Sequence, residues 1–186
     1  MAISLKKGGR FNLSKNEPSL EKVMVGLGWE MKSGAKLDLD VSVFMVGPSG
    51  KVPADEYFVF YNNLKSPDGS IQHTGDNRTG DGDGDDEMVL ANLPLVSSDV
   101  NELIFVASIH EAATRRHNFG LLKDAYIRVV DVSSDREILR YDLDEEFASN
   151  TDVEFGRLVR ENGEWSFVAS GLGENGGLQA FLDKYA

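Results

Sequence analysis

Apolar side chains in this chain recur in short runs, with polar residues between them at every second position and Gly, Asn, Asp or Pro at the run ends. This is the signature of β-strands with one face in a core. The runs predict strands over Ile3–Lys6, Lys22–Trp29, Asp40–Val46, Tyr57–Phe60, Glu87–Leu93, Glu102–His110, Ala125–Asp131, Glu137–Asp142, Val153–Glu161 and Trp165–Gly171. In Ala125–Asp131, Ile127 and Val129 face opposite to Tyr126, Arg128 and Val130, whereas Phe155 and Gly156 disturb the rhythm of the strand that holds them. Asp40–Val46 is apolar at nearly every position, so it reads as a strand covered on both faces.

Two hairpins stand out. YIRVVD and EILRYDL are joined through Val132–Arg136, and VEFGRLVR and WSFVAS flank Glu161-Asn162-Gly163-Glu164. Asn162-Gly163 supplies the two positive φ angles of a type I′ turn. A helical stripe occurs at Gly177–Tyr185, where Leu178, Phe181, Leu182 and Tyr185 share a face, and Ser98 or Asp99 offers the N-cap of a second short helix. About ten closely spaced strands with little helix predict an all-β, two-sheet antiparallel β-sandwich with a short C-terminal helix. No internal repeat or linker divides the chain, so residues 1–186 read as a single domain.

One stretch departs from this pattern. Tyr61–Glu87 reads as a loop of about 27 residues, and loops beyond about 12–15 residues are usually functional or disordered. Its centre is GDNRTGDGDGDDE, with Asp76, Asp81, Asp83, Asp85, Asp86 and Glu87 against the single cation Arg78. A charge run is ordinarily a solvated loop. Here, however, Gly80, Gly82 and Gly84 alternate with the acids, Asp outnumbers Glu, and Asn77 adds a neutral oxygen. Calcium takes six to eight oxygens, and glycines let the backbone wrap and turn carbonyls inward. A second acidic element, Asp38-Leu39-Asp40, opens a predicted strand and sets both carboxylates on one face. Together the two elements bring up to eight carboxylates into reach, and counting charge favours two neighbouring ions. An EF-hand does not fit, because in a loop starting at Asp81 the sixth position is Asp86 where Gly is required and the twelfth is Asn92 where Glu is required.

Charge and composition narrow the partners. The chain has 19 basic and 31 acidic residues, a net charge of −12, which disfavours nucleic acid and unaided binding to anionic lipid. The absence of cysteine excludes disulfides, zinc–thiolate sites and cysteine nucleophiles, leaving oxygen as the main ligand. The N-terminus has no apolar signal region and no run is long enough to span a bilayer, so the expectation is a cytoplasmic protein without a transmembrane segment. His73, His110 and His117 form no zinc motif, and no Ser–His–Asp pattern is visible; a lone histidine at a strand end is ordinarily structural. Arg115 and Arg116 beside His110-Glu111 make an anion site conceivable.

Asp38-Leu39-Asp40 with Ser42 and Phe44, FVFYNN at 58–63, SPDGS at 66–70, HTGDNRTGDGDGDDE at 73–87, IHEAATRRHNFG at 109–120, AYIRVV at 125–130 and YDL at 141–143 together resemble the TerD family of bacterial tellurium-resistance and general-stress proteins. The resemblance extends through GLGW at 26–29 and GLGENGGL near the C-terminus, nearly the whole chain. It implies a β-sandwich binding two calcium ions, a role in tolerance of tellurite and other stresses without catalysis, and other tellurium-resistance proteins as partners, some in the membrane. Carried over residue by residue, it implies Asp38, Asp40, Asp76, Asn77, Asp83, Asp85, Asp86 and Glu87 as ligands, with Asp68 and Asp81 as further candidates. The expected function is a calcium-binding scaffold or sensor. The alternatives are a metal-dependent hydrolase built on Asp38, Asp40 and the loop carboxylates, and a calcium-dependent carbohydrate-binding module using Tyr57 or Tyr61.

Overall fold

The alternation along each run folds as it reads. In a computed structural model, which describes residues 2–31, 39–74, 87–109, 112, 116–143 and 147–186, the described strands form two stacked sheets. Sheet A runs in the order β1 (Ile3–Leu5), β10 (Arg136–Asp142), β9 (Leu122–Asp131), β3 (Lys22–Met31), β7 (Glu87–Asn92), β6 (Ile71–His73). Sheet B runs β2 (Arg10–Asn12), β12 (Glu164–Val168), β11 (Asp152–Glu161), β8 (Glu102–Ile109), β4 (Leu39–Val46), β5 (Phe58–Val59), with β13 (Leu172–Glu174) also paired to β11. The described pairings are antiparallel except β1 with β10, which is parallel. One turn of helix, α1 (Leu13–Asn16), follows β2, and α2 (Leu178–Tyr185) closes the chain.

The main core lies between the sheets. Val23, Val25, Leu27 and Trp29 of β3 and Val89 and Ala91 of β7 meet Val41, Val43 and Met45 of β4 and Leu103, Phe105 and Ala107 of β8. The other face of sheet B is apolar too: Phe44, Val46, Phe58, Ile104 and Val106 are covered by Phe181 and Tyr185 of α2. That second cluster is why β4 is apolar on both faces. Along one side β4 is paired with β8 over its full length, but along the other β5 reaches only Val43 and Phe44. Among the described residues, the Leu39–Ser42 side of β4 is therefore an open edge.

Both predicted hairpins form. Glu161 pairs with Glu164 across Asn162 (φ 52°) and Gly163 (φ 77°), the two left-handed angles the sequence required. The broken rhythm at Phe155-Gly156 is a β-bulge: the register against β8 shifts between Glu154 and Gly156. A bulge reverses the facing of the residues beyond it, so Glu154 and Arg157, three apart, share the outer face beneath α2.

Two expectations need correction. The predicted second helix at Ser98 or Asp99 is absent; a 3-10 turn over Leu93–Leu95 leads into a loop whose carbonyls at Val96, Ser97 and Val100 are taken by the Arg160 guanidinium, so the loop's acceptors are satisfied without helix. Tyr61–Glu87 is not one loop either. The turn at 66–70 delivers the chain into β6, which pairs with β7 from Ile71↔Ala91 to His73↔Val89.

Candidate metal centre

The last acid of the tract is the best-placed residue of the candidate set. β7 alternates so that Glu87, Val89 and Ala91 face the other sheet, and Glu87 is 1% exposed. β6 turns Ile71 and His73 the same way. Because His73 lies opposite Val89, Glu87 is its diagonal neighbour on one face, within reach of a long side chain. His73 Nε2 hydrogen-bonds the carbonyl oxygen of Val41 on the open edge of β4 at 3.1 Å, and Glu87 Oε2 lies 3.1 Å from the same nitrogen without being its hydrogen-bond partner. A carbonyl only accepts, so Nε2 carries a hydrogen. The buried carboxylate, the imidazole and the backbone of β4 thus meet at one end of the sandwich.

Asp40 is one residue from Val41 but on the opposite face of β4. Its register partner on β8 is Ser108, which is in turn opposite Asp152 of β11, itself opposite Glu174 of β13, so four strands contribute one polar row at this end of sheet B. Asp152 is wholly buried and accepts a hydrogen bond from the Thr151 hydroxyl at 2.6 Å. Burial pushes its carboxyl up, and Glu174 adds to this, against the opposing effect of Thr151, Ser108 and the Gly177 N–H at the start of α2.

Asp68 is placed elsewhere. Its Oδ1 accepts from the Ser66 hydroxyl (2.6 Å), the Ser70 hydroxyl (2.7 Å) and the Ser70 N–H (2.9 Å), and Oδ2 accepts from the Ser97 N–H (2.9 Å). Burial acts to raise its carboxyl, but these four bonds outweigh it and hold the group below the usual carboxylate value. Ser70 lies beside Asn92, the far end of β7 from Glu87. At ~3.3 Å per residue, that separates Asp68 from Glu87 by roughly the length of the strand. With these bonds Asp68 ties the 66–70 turn to the Ser97 loop.

Asp38, Asp76, Asn77, Asp81, Asp83, Asp85 and Asp86 lie outside the described residues, as do His110, Glu111 and Arg115. Among the described residues, no three His, Asp or Glu side chains gather as a metal site, and no helix is long and apolar enough to cross a membrane. Asp40 and Glu87 are hard oxygen donors of the kind calcium takes, so either one fits a hard cation as a single ligand, but they lie on opposite sides of sheet B. Sequence reasoning missed His73 as part of this arrangement, and Asp152 altogether. The signal for His73 was the alternation Ile71-Gln72-His73 after a turn, too short to stand out beside the acidic run.

A family model described as the TerD domain matches residues 1–185. The tellurium resistance protein TerD of Alcaligenes sp is 50% identical over 187 residues, covering 100% of this chain and 97% of that protein. General stress protein 16U of Bacillus subtilis (strain 168) is 44% identical over 188 residues, covering 100% and 97%. Among solved structures, a Streptomyces coelicolor A3(2) homologue of the telluride resistance protein TerD superposes with a TM-score of 0.70 at 23% identity, covering 88% of this chain and 95% of that one.

Proposed function

This chain belongs to the TerD family, and from that premise we propose that it is a calcium-binding stress-response protein of the tellurium-resistance class, acting without catalysis as a scaffold or sensor. The observation that carries the reading is the buried Glu87 at the C-terminal end of the acidic tract, its carboxyl 3.1 Å from His73. Two calcium ions would be held by Asp38, Asp40, Asp76, Asn77, Asp81, Asp83, Asp85, Asp86 and Glu87. The chemistry they supply is neutralisation of carboxylates that otherwise repel one another.

The protein acts in the cytoplasm in this reading, and its partners are other tellurium-resistance proteins, some of them in the membrane. The names of its relatives, for tellurium resistance and general stress, support the class. Each ion that binds only the folded state stabilises it by mass action, by about 2.7 kcal/mol at a hundredfold excess over Kd, so two contribute about 5.4 kcal/mol. For a chain of this size that is a melting-temperature rise of roughly 11–22 °C. Calorimetric titration of calcium into chelator-treated protein, with melting curves alongside, should give two ions bound and this rise, and magnesium should substitute poorly. Identical melting curves in calcium and in chelator would sink the proposal.

A further inference from the structure

We infer that Asp152 is a further calcium ligand, sharing one of the two ions with Asp40 across Ser108 on the outer face of sheet B. The inference rests on the calcium reading above and adds a ligand that neither the acidic tract nor the family resemblance supplies. In β4, Val41, Val43 and Met45 pack in the main core while Phe44 and Val46 pack beneath α2, so alternation sets Asp40 and Ser42 on the outer face. Asp40 and Glu87 therefore lie on opposite sides of the strand, and each needs its own companions. On β8 and β11 the same alternation turns Ser108 and Asp152 outward, between Ala107 and Ile109 and before Val153 of the core. Register then sets Asp40 opposite Ser108, and Ser108 opposite Asp152.

Unmet oxygens mark this row as a place for a ligand. Asp152 is wholly buried; its Oδ2 accepts from the Thr151 hydroxyl, but its Oδ1 has no hydrogen-bond partner. Neither has the hydroxyl of Ser108 or of Ser42, residues 7% and 1% exposed. A buried carboxylate is costly unless a donor or an opposite charge compensates it, and the row Asp40–Ser108–Asp152–Glu174 contains no basic residue. Two strand spacings put the Cα atoms of Asp40 and Asp152 about 10 Å apart. Each carboxylate with one calcium–oxygen bond of about 2.3–2.6 Å spans about half of that, so an ion above the Ser108 hydroxyl is within reach of both. Asp40 is only part-buried, which leaves the ion a way in from its side.

The test is calorimetric titration of calcium into the full chain for wild type, Asp152→Asn, Asp40→Asn and the double variant, each also melted in chelator. Asp152→Asn keeps the shape of the side chain and removes its charge. Expected results are two ions for wild type, one for each single variant and still one for the double, because both changes remove the same site. In chelator, Asp152→Asn should melt no lower than wild type, since it relieves a buried charge. Should Asp152→Asn fail to fold, Ser108→Val, which sets methyl groups between the two carboxylates, should lose the same ion. An ion count equal to that of wild type, at unchanged Kd, in a folded Asp152→Asn or Ser108→Val overturns the role of Asp152 while leaving the calcium reading intact. A double variant that loses one ion more than either single places Asp40 and Asp152 on different ions and overturns the shared site. Absence of binding by wild type overturns the calcium reading and this inference with it. A purely structural Asp152 would lower the melting temperature in chelator when replaced and leave the ion count unmoved.

Discussion

Replacing Arg157 with Leu tests how α2 is fastened to the sandwich. Glu154 is fully buried on the outer face of sheet B, and Arg157 grips it with Nη2 at 2.9 Å from Oε1 and 2.8 Å from Oε2 and with Nε at 3.2 Å from Oε2. The Tyr185 hydroxyl of α2 also donates to Glu154, and Arg157 reaches Glu102 through Nη1 at 3.0 Å. Removing one partner of a buried pair costs about 3–5 kcal/mol, because the other charge stays buried and uncompensated. Tyr185 remains as a donor in Arg157→Leu, which puts the expected cost at the low end, about 3 kcal/mol, or roughly 6–12 °C in melting temperature.

The reverse change is milder. In Glu154→Leu, Arg157 keeps Glu102 and is 21% exposed to water, so the principal loss is the acceptor of the Tyr185 hydroxyl, about 1–2 kcal/mol. The double variant should be less damaged than Arg157→Leu alone, since no charge is stranded. Urea unfolding followed by circular dichroism at a fixed calcium concentration measures all three. Arg157→Leu within about 1 kcal/mol of wild type, or a double variant as unstable as the sum of the singles, would refute the argument.

Two further outcomes concern carboxylates. The folded-state pKa of Asp152 is raised, chiefly by burial, so its contribution is present below the unfolded value of 3.8 and is lost as pH rises through the folded value. Asp152→Asn should therefore raise the melting temperature near neutral pH and change little at about pH 3; an equal effect at both would contradict the assignment. The Asp68 pKa is lowered on balance, so its stabilisation is present above 3.8 and is lost as pH falls through the folded value. Asp68→Ala should cost about 1–3 kcal/mol by stranding the donors of Ser66, Ser70 and Ser97. Calcium stoichiometry by calorimetry should be unchanged in this variant, and loss of an ion would restore Asp68 to the ligand set.

The strands were legible because each long one carries its own instruction. Val23, Val25, Leu27 and Trp29 name a face without reference to any partner. Asn162-Gly163 specifies its turn locally, and even the Phe155-Gly156 irregularity is visible as a break in period. Some of the three-residue strands carry no such period. Ile71–His73 and Leu172–Glu174 exist because β7 and β11 offer them an edge to pair with, a property of the assembled sheet. Arg160 displaced the predicted helix for a similar reason, since its hydrogen bonds to Val96, Ser97 and Val100 join residues 60 or more positions apart.

The candidate site divides along the same line. Acid spacing identifies residues able to hold a hard cation, whereas Asp68 entered as a further candidate through the family resemblance, which does not record which end of a strand a turn occupies. Position in the fold separates Asp68 from Glu87: Asp68 accepts hydrogen bonds from its own turn and from Ser97, whereas Glu87 is buried beside a side chain from β6. Burying a carboxylate is costly unless something compensates it. A fold that buries one at the end of an aspartate-rich tract, within 3.1 Å of an imidazole from the neighbouring strand, contributes one ligand of the proposed cation site from a residue that belongs to the sandwich itself.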